Sequence, residues 1–133
     1  MSSEAVAPSR AIVAGHGDFA RGLISAVEQI TGRGNELSAI SVTGLGGQDI
    51  ESVLRQSMLD TGARVVFTDL QAGSCTVAAR RVLRGMDDAV LVVGANLPML
   101  LDFVFATDKS PAEAAIHAAE RGRAAVAVHG ATA

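Results

Sequence analysis

The sequence predicts an α/β fold, a mostly parallel open sheet with helices on both faces. Short apolar runs alternate with segments whose apolar residues recur at helical spacing, the pattern of strand–helix–strand units. The chain has 14 glycines in 133 residues, many of them where a strand would turn into a helix or a helix would end. The first run, Ala11-Ile12-Val13-Ala14, is small or branched apolar throughout, which suits a central parallel strand.

In chain order, the first strand is expected at Ala11 to Ala14 and its helix from Asp18 to Thr31. That helix carries Phe19, Leu23, Ala26, Val27 and Ile30 on one face, and Gly32 stops it. Leu37 to Val42 is the second strand. Gly44 to Gly47 lacks the lysine and hydroxyl of a P-loop and reads as a flexible connection. Asp49 suits the N-cap of a helix with Ile50, Val53, Leu54 and Met58 inward, closed by Gly62. Strand three, Ala63 to Thr68, ends in Asp69. Helix three follows Ser74 and contains Val77, Ala78, Val82 and Leu83, with Gly85 after it. Strand four is Ala89 to Val93, after which Gly94-Ala95-Asn96-Leu97-Pro98 opens a short apolar helix through Phe105. Ser110-Pro111-Ala112-Glu113 is a capping box with proline in the first turn. The last helix reaches Arg121, and Ala124 to Val128 can form one more strand. Neither a repeat nor an interdomain linker is evident. Residues 10–133 read as one domain, and Met1 to Ser9 as a disordered segment.

Composition excludes several functions. Hydrophobic residues make up 49% of the chain, yet charge or glycine breaks every run before it could span a bilayer. The start is polar and has no apolar signal core, so a cytoplasmic setting is expected. One cysteine, Cys75, permits no intramolecular disulfide. A net charge of −3 without a basic patch argues against nucleic acid. Four Phe with no Trp or Tyr leave no stacking platform. No His, Cys and carboxylate cluster has metal-ligand spacing, and no cofactor is expected.

The polar residues gather at strand ends. His16 lies where the first strand runs into a helix, beside the free N–H groups of a helix start, a place that favours anions. Asp69 with Gly73-Ser74 follows strand three, and Asn96 follows strand four. With these strands as neighbours, all three turns open onto one edge of the sheet. Asp69 could then bond one ring nitrogen of His16 and leave the other as a nucleophile, stabilising the charged ring that forms on phosphorylation. Gly17 and Ser74 are placed to take phosphoryl oxygens. Each residue also has a plainer reading: His16 as a turn histidine, Asp69 as a turn cap, Ser74 as an N-cap. Gly15-His16-Gly17-Asp18-Phe19-Ala20 fits the loose dinucleotide pattern, but the second strand ends Ser41-Val42-Thr43-Gly44 without the acid that pattern needs. His117 reads as a surface or boundary residue, and His129 lies near a chain end. Cys75 sits at a helix start that lowers thiol pKa values; with no histidine tied to it, it reads as a small packing residue.

Three segments carry a family resemblance. Ile12 to Leu23 resembles the active-histidine motif of the mannose-type enzyme IIA of the bacterial sugar phosphotransferase system. Phe67 to Ser74 resembles its Asp-containing loop, and Val93 to Leu100 is similar to its Gly-x-Asn-Leu-Pro-Met-Leu segment. Order and intervals agree from Arg10 to Val128. The resemblance implies a phosphocarrier in which His16 accepts a phosphoryl group from the histidine-containing phosphocarrier protein and passes it to a IIB domain, with Asp69 orienting the ring. It also implies a homodimer with an antiparallel C-terminal strand, Ala124 to Val128, exchanged between subunits, and membrane contact only through a permease. Ala72 replaces the first glycine of the family loop and Cys75 its proline. These changes leave His16 and Asp69 intact but bear on loop conformation and partner choice. Alternatives are the phosphotransfer subunit of dihydroxyacetone kinase and a phosphorylation-dependent regulatory module.

Overall fold

A computed structural model describes residues 7–130. Four strands form one sheet: β1 (Ala11–Gly15), β2 (Leu37–Ser41), β3 (Val65–Thr68) and β4 (Val90–Val92). Their order is β2-β1-β3-β4, and every pairing is parallel. Five helices connect and cover them: α1 (Phe19–Thr31), α2 (Gly47–Thr61), α3 (Ser74–Leu83), α4 (Leu97–Phe105) and α5 (Pro111–Ala124). A single 3-10 turn, Gly34–Glu36, leads into β2.

Successive side chains of a strand point to opposite faces, and here both faces are covered. Ala11, Val13, Val65 and Phe67 pack under α1, α4 and α5. Ile12, Ala14, Ile40 and Val66 pack under α2 and α3. Such double coverage requires consecutive apolar residues, and all five residues of β1 are buried. Phe67 meets Phe103 of α4 edge to face, with ring centroids 5.2 Å apart. The strand order reverses direction between β1 and β3. Their carboxyl ends therefore open a crevice at the topological switch point, where open α/β sheets bind ligands.

Arg10, just before β1, ties this end of the chain to α4. Its guanidinium donates to the carbonyls of Phe103, Val104 and Ala106 at 2.9–3.1 Å, capping the last turn of a helix, where carbonyls run out of intrahelical donors. It also bonds Glu36 at 2.8 Å and lies 4.5 Å from the Phe103 ring centroid. Burial raises the Glu36 pKa, but the hydrogen bonds from Arg33 and Arg10 outweigh it and hold the carboxyl below its usual value.

Several boundaries differ from expectation. The α2 helix begins at Gly47 with Gly46 as N-cap, so Asp49 lies in the first turn, where its charge suits the helix dipole, and does not cap. The buried stripe of α2 is Ile50, Leu54, Met58 and Thr61. Val53, together with Ile30 of α1 and Val77 of α3, faces outward. Ser110 and Glu113 form the expected capping box. The α5 helix outlasts Arg121 because Ala125 N–H still donates to Arg121 O at 3.1 Å, and alanine-rich sequence propagates helix well. Ala124 is thus helical, and residues 126–129 have no regular structure and pair with no strand among the described residues. Of the expected disordered segment, residues 1–6 lie outside the described residues. Ser9 is buried, and its N–H donates to Thr61 O at 3.2 Å.

Arg10→Ala should destabilise the fold by about 2 kcal/mol, the scale of losing charged hydrogen bonds to buried carbonyls. Arg81→Ala, which breaks only a 3.3 Å pair with Glu51 on the surface, should cost about 0.5 kcal/mol or less. Urea unfolding midpoints compare the two, and equal midpoints would refute the special place of Arg10.

Candidate functional site

The parallel register pairs Ala14 with Thr68, so the residues that follow, Gly15-His16 and Asp69, leave the sheet side by side. Phe19 N–H donates to His16 O at 3.1 Å, and Gly17 takes a positive φ of 54°. This tight turn presents the His16 ring at the switch-point crevice before α1 begins.

Asp69 holds that ring. Its Oδ2 lies 2.7 Å from His16 Nδ1 and accepts the His16 backbone N–H at 2.9 Å. A carboxylate only accepts, so Nδ1 carries the hydrogen in a neutral ring and the lone pair resides on Nε2. No hydrogen bond to Nε2 is found among the described residues. The Asp69 side chain is 9% exposed and that of His16 54% exposed, so a buried acid meets a ring open to solvent. Burial raises the Asp69 pKa, but the ring and backbone hydrogen bonds from His16 and the charge of its ring outweigh this and lower it. Asp69 Oδ1 is buried without a hydrogen-bond partner among the described residues. Gly15 allows this approach: a Cβ there would stand 3.0 Å from Asp69 Oδ2 and 2.6 Å from the Phe19 ring.

The ring also lies against the start of α3. A Cβ on Gly73 would be 3.6 Å from His16 Cε1. Gly73 is the N-cap, and Ser74, expected there, is the first helical residue and is exposed. The first intrahelical bond is Val77 N–H to Gly73 O at 3.0 Å, so the N–H groups of Ser74 to Thr76 have no partner within the helix. Gly17 N–H donates to Thr43 Oγ1 at 3.1 Å. Sequence reasoning passed over Thr43; its signal was a hydroxyl at the carboxyl end of a strand neighbouring the first.

The remaining candidates lie elsewhere. Asn96 caps α4, accepting Met99 N–H at 3.0 Å, and its amide donates to Gly122 O at 2.9 Å; both polar atoms are engaged away from His16. His117 Nδ1 is 2.7 Å from Asp102 Oδ2, an α5–α4 tie, and His129 is exposed. Cys75 is buried, and burial first, then the Asp69 charge, pushes its thiol up to about 11, opposite to the effect of a helix start. Ala72 does not take positive φ, so the loop closes without the flexibility of a glycine there. No described helix is long and apolar enough to cross a membrane.

A lowered folded pKa means that Asp69 contributes stability above its unfolded value, lost as pH falls through the folded one. The stability difference between the native protein and Asp69→Asn should therefore be full at neutral pH and shrink below about pH 4. Denaturant titrations across that range measure it, and a difference independent of pH would contradict the clamp.

A family model described as the phosphotransferase system (PTS) fructose IIA component, EIIA-man, matches residues 10–120. The fold is similar to that of a mannose/sorbose-specific IIA subunit of the phosphotransferase system from Enterococcus faecalis, with TM-score 0.82 and 19% identity over 95% of this chain and 98% of that one. It is also similar to phosphotransferase system component EIIA from Streptococcus agalactiae, with TM-score 0.72 and 24% identity over 85% and 93% of the two chains. A PTS IIA protein associated with the fucose utilization operon from Streptococcus pneumoniae gives TM-score 0.69 and 26% identity over 87% and 91%. No curated protein matches the sequence. With the motifs in register and the family model matched over most of its length, the chain belongs to the mannose/fructose-type IIA family of the sugar phosphotransferase system.

Proposed function

We propose that His16 is the phosphorylated residue of this IIA component, taking its phosphoryl group from the histidine-containing phosphocarrier protein and giving it to a IIB domain for sugar uptake. The observation that carries this reading is the 2.7 Å contact of Nδ1 with Asp69 on a half-exposed ring. Nδ1 is occupied, so Nε2 is the nucleophile. Its lone pair attacks the phosphorus of the donor phosphohistidine. The donor P–N bond breaks, its electron pair returns to the donor imidazole, and a P–Nε2 bond forms. The His16 ring becomes positive in that step, and the Asp69 carboxylate stabilises it. Ser74 and the free N–H groups at the start of α3 are suited to phosphoryl oxygens. Gly17 N–H joins them by exchanging its Thr43 acceptor for one. The donor supplies the activated group, so the step needs no cofactor.

The working form in this reading is a cytoplasmic homodimer that reaches the membrane only through a permease. Val126 and Val128 are 73% and 88% exposed. The outer edge of β4 pairs with no strand among the described residues, and an open edge beside an exposed apolar tail favours exchange of that tail between two copies.

Incubation with phosphoenolpyruvate, enzyme I and the phosphocarrier protein should label the protein with acid-labile, base-stable phosphate. His16→Ala should abolish labelling with the fold intact, and Asp69→Asn should slow it by about 10-fold or more. Undiminished labelling of His16→Ala would sink the assignment. Full-length protein should sediment as a dimer at micromolar concentration, and truncation after Ala125, which spares α5, should yield a monomer or aggregate. A monomeric full-length protein would refute the dimer while leaving the phosphorylation chemistry untouched.

A further inference from the structure

We infer that Thr76 is a positioning residue for this site, its hydroxyl holding the Thr68 side chain on one side of Asp69 and the Leu70 carbonyl on the other so that the carboxylate stays on the His16 ring. The inference rests on the assignment of His16 and Asp69 above. Thr76 stands in the first turn of α3 and is fully buried, as is Thr68 at the end of β3. The two hydroxyl oxygens are 2.7 Å apart, and Thr76 Oγ1 donates to the carbonyl of Leu70. Each hydroxyl has one hydrogen. The Thr76 hydrogen goes to Leu70, so Thr68 donates to Thr76. One buried hydroxyl thus binds the residue before Asp69 and the residue after it, and fastens both to α3.

The Asp69 side chain cannot hold itself in place. Oδ2 makes both of its hydrogen bonds to His16, and Oδ1 makes none among the described residues. Among the described residues no side chain other than His16 bonds the carboxylate, so its direction depends on the backbone that carries it. Thr68 is anchored on the strand side, where its carbonyl accepts Ala95 N–H at 2.9 Å. On the loop side Leu70 is exposed, and the Thr76 hydroxyl is the side-chain group that restrains its carbonyl. The same hydroxyl links Asp69 to the helix start lying against the His16 ring, so acid, imidazole and phosphoryl-binding amides keep one geometry.

The test compares Thr76→Val, which keeps the shape without the hydroxyl, with Thr76→Ser, which keeps the hydroxyl. In unphosphorylated protein, imidazole nitrogen chemical shifts report the His16 tautomer. Thr76→Val should mix the two tautomers of a ring that is Nδ1–H in the native protein, and should slow phosphoryl transfer by about 3-fold or more, because small displacements of positioned groups cost rate steeply. Thr76→Ser should restore both. A folded Thr76→Val with native tautomer and rate would overturn the inference, as would equal defects in the two variants. Should Thr76→Val fail to fold, Thr68→Val, which frees only the strand side, is read the same way: a partial shift in tautomer supports the relay and none overturns it. The tautomer is read without phosphate, so a labelled His16→Ala protein would sink the site assignment by a separate result.

Discussion

Asp69 Oδ2 accepts two hydrogen bonds from one residue, the His16 backbone N–H and its ring Nδ1, and the rest of the crevice is arranged to permit this. The β1–β3 register brings the two strand ends level. Gly15 removes the side chain that would stand between them. Gly17 turns the chain so that the ring follows immediately after the strand. A carboxylate this buried is costly unless its charge is met. The two bonds from His16 meet it, which is why the Asp69 pKa falls in spite of burial. The same pairing settles which ring nitrogen is free.

Most of the fold was legible in the sequence because the sheet is covered on both faces. Consecutive apolar residues at 11–14 and 65–67 fit strands buried on two sides far better than half-exposed ones, and Ser110-Pro111-Ala112-Glu113 marks a helix start by local chemistry alone. His16 and Asp69 were legible as residues at strand ends, but their contact was not: it follows from β1 and β3 being neighbours, a fact of topology. Asn96 shows the limit. It also follows a strand, yet its amide serves α4 and α5, because β4 is one strand farther from β1. Val53 and Val77 turn out of the core because each buried stripe is narrow and already filled, by Ile50, Leu54, Met58 and Thr61 in α2 and by Cys75, Ala78, Ala79 and Val82 in α3. Thr76 gives no signal in the sequence because hydroxyls on an amphipathic helix are common; only the neighbouring Thr68, hidden until the sheet is built, gives it meaning.

The two ends of the sheet divide the work. At the carboxyl end, glycines and short polar side chains bring backbone groups close to an open ring. At the amino end, Arg10 closes the α4 terminus and meets Glu36 and the Phe103 ring. Among the described residues the crevice keeps a carboxylate oxygen without a hydrogen-bond partner and helix amides without an intrahelical one, each a local cost. The C-terminal segment is a third zone, where α5 runs out and two exposed valines remain.

Cys75 has a use that follows from its surroundings. It is the one cysteine of the chain, is buried under the start of α3, and its thiol pKa is pushed up to about 11. At neutral pH it carries almost no thiolate, and a reagent reaches it only when α3 lifts from the sheet. The rate of native-state alkylation is therefore a clock for the opening of the junction that carries Asp69, read from a probe the sequence already contains. Slow labelling would mean that the crevice is held rigid between encounters, so partner proteins meet a site already assembled.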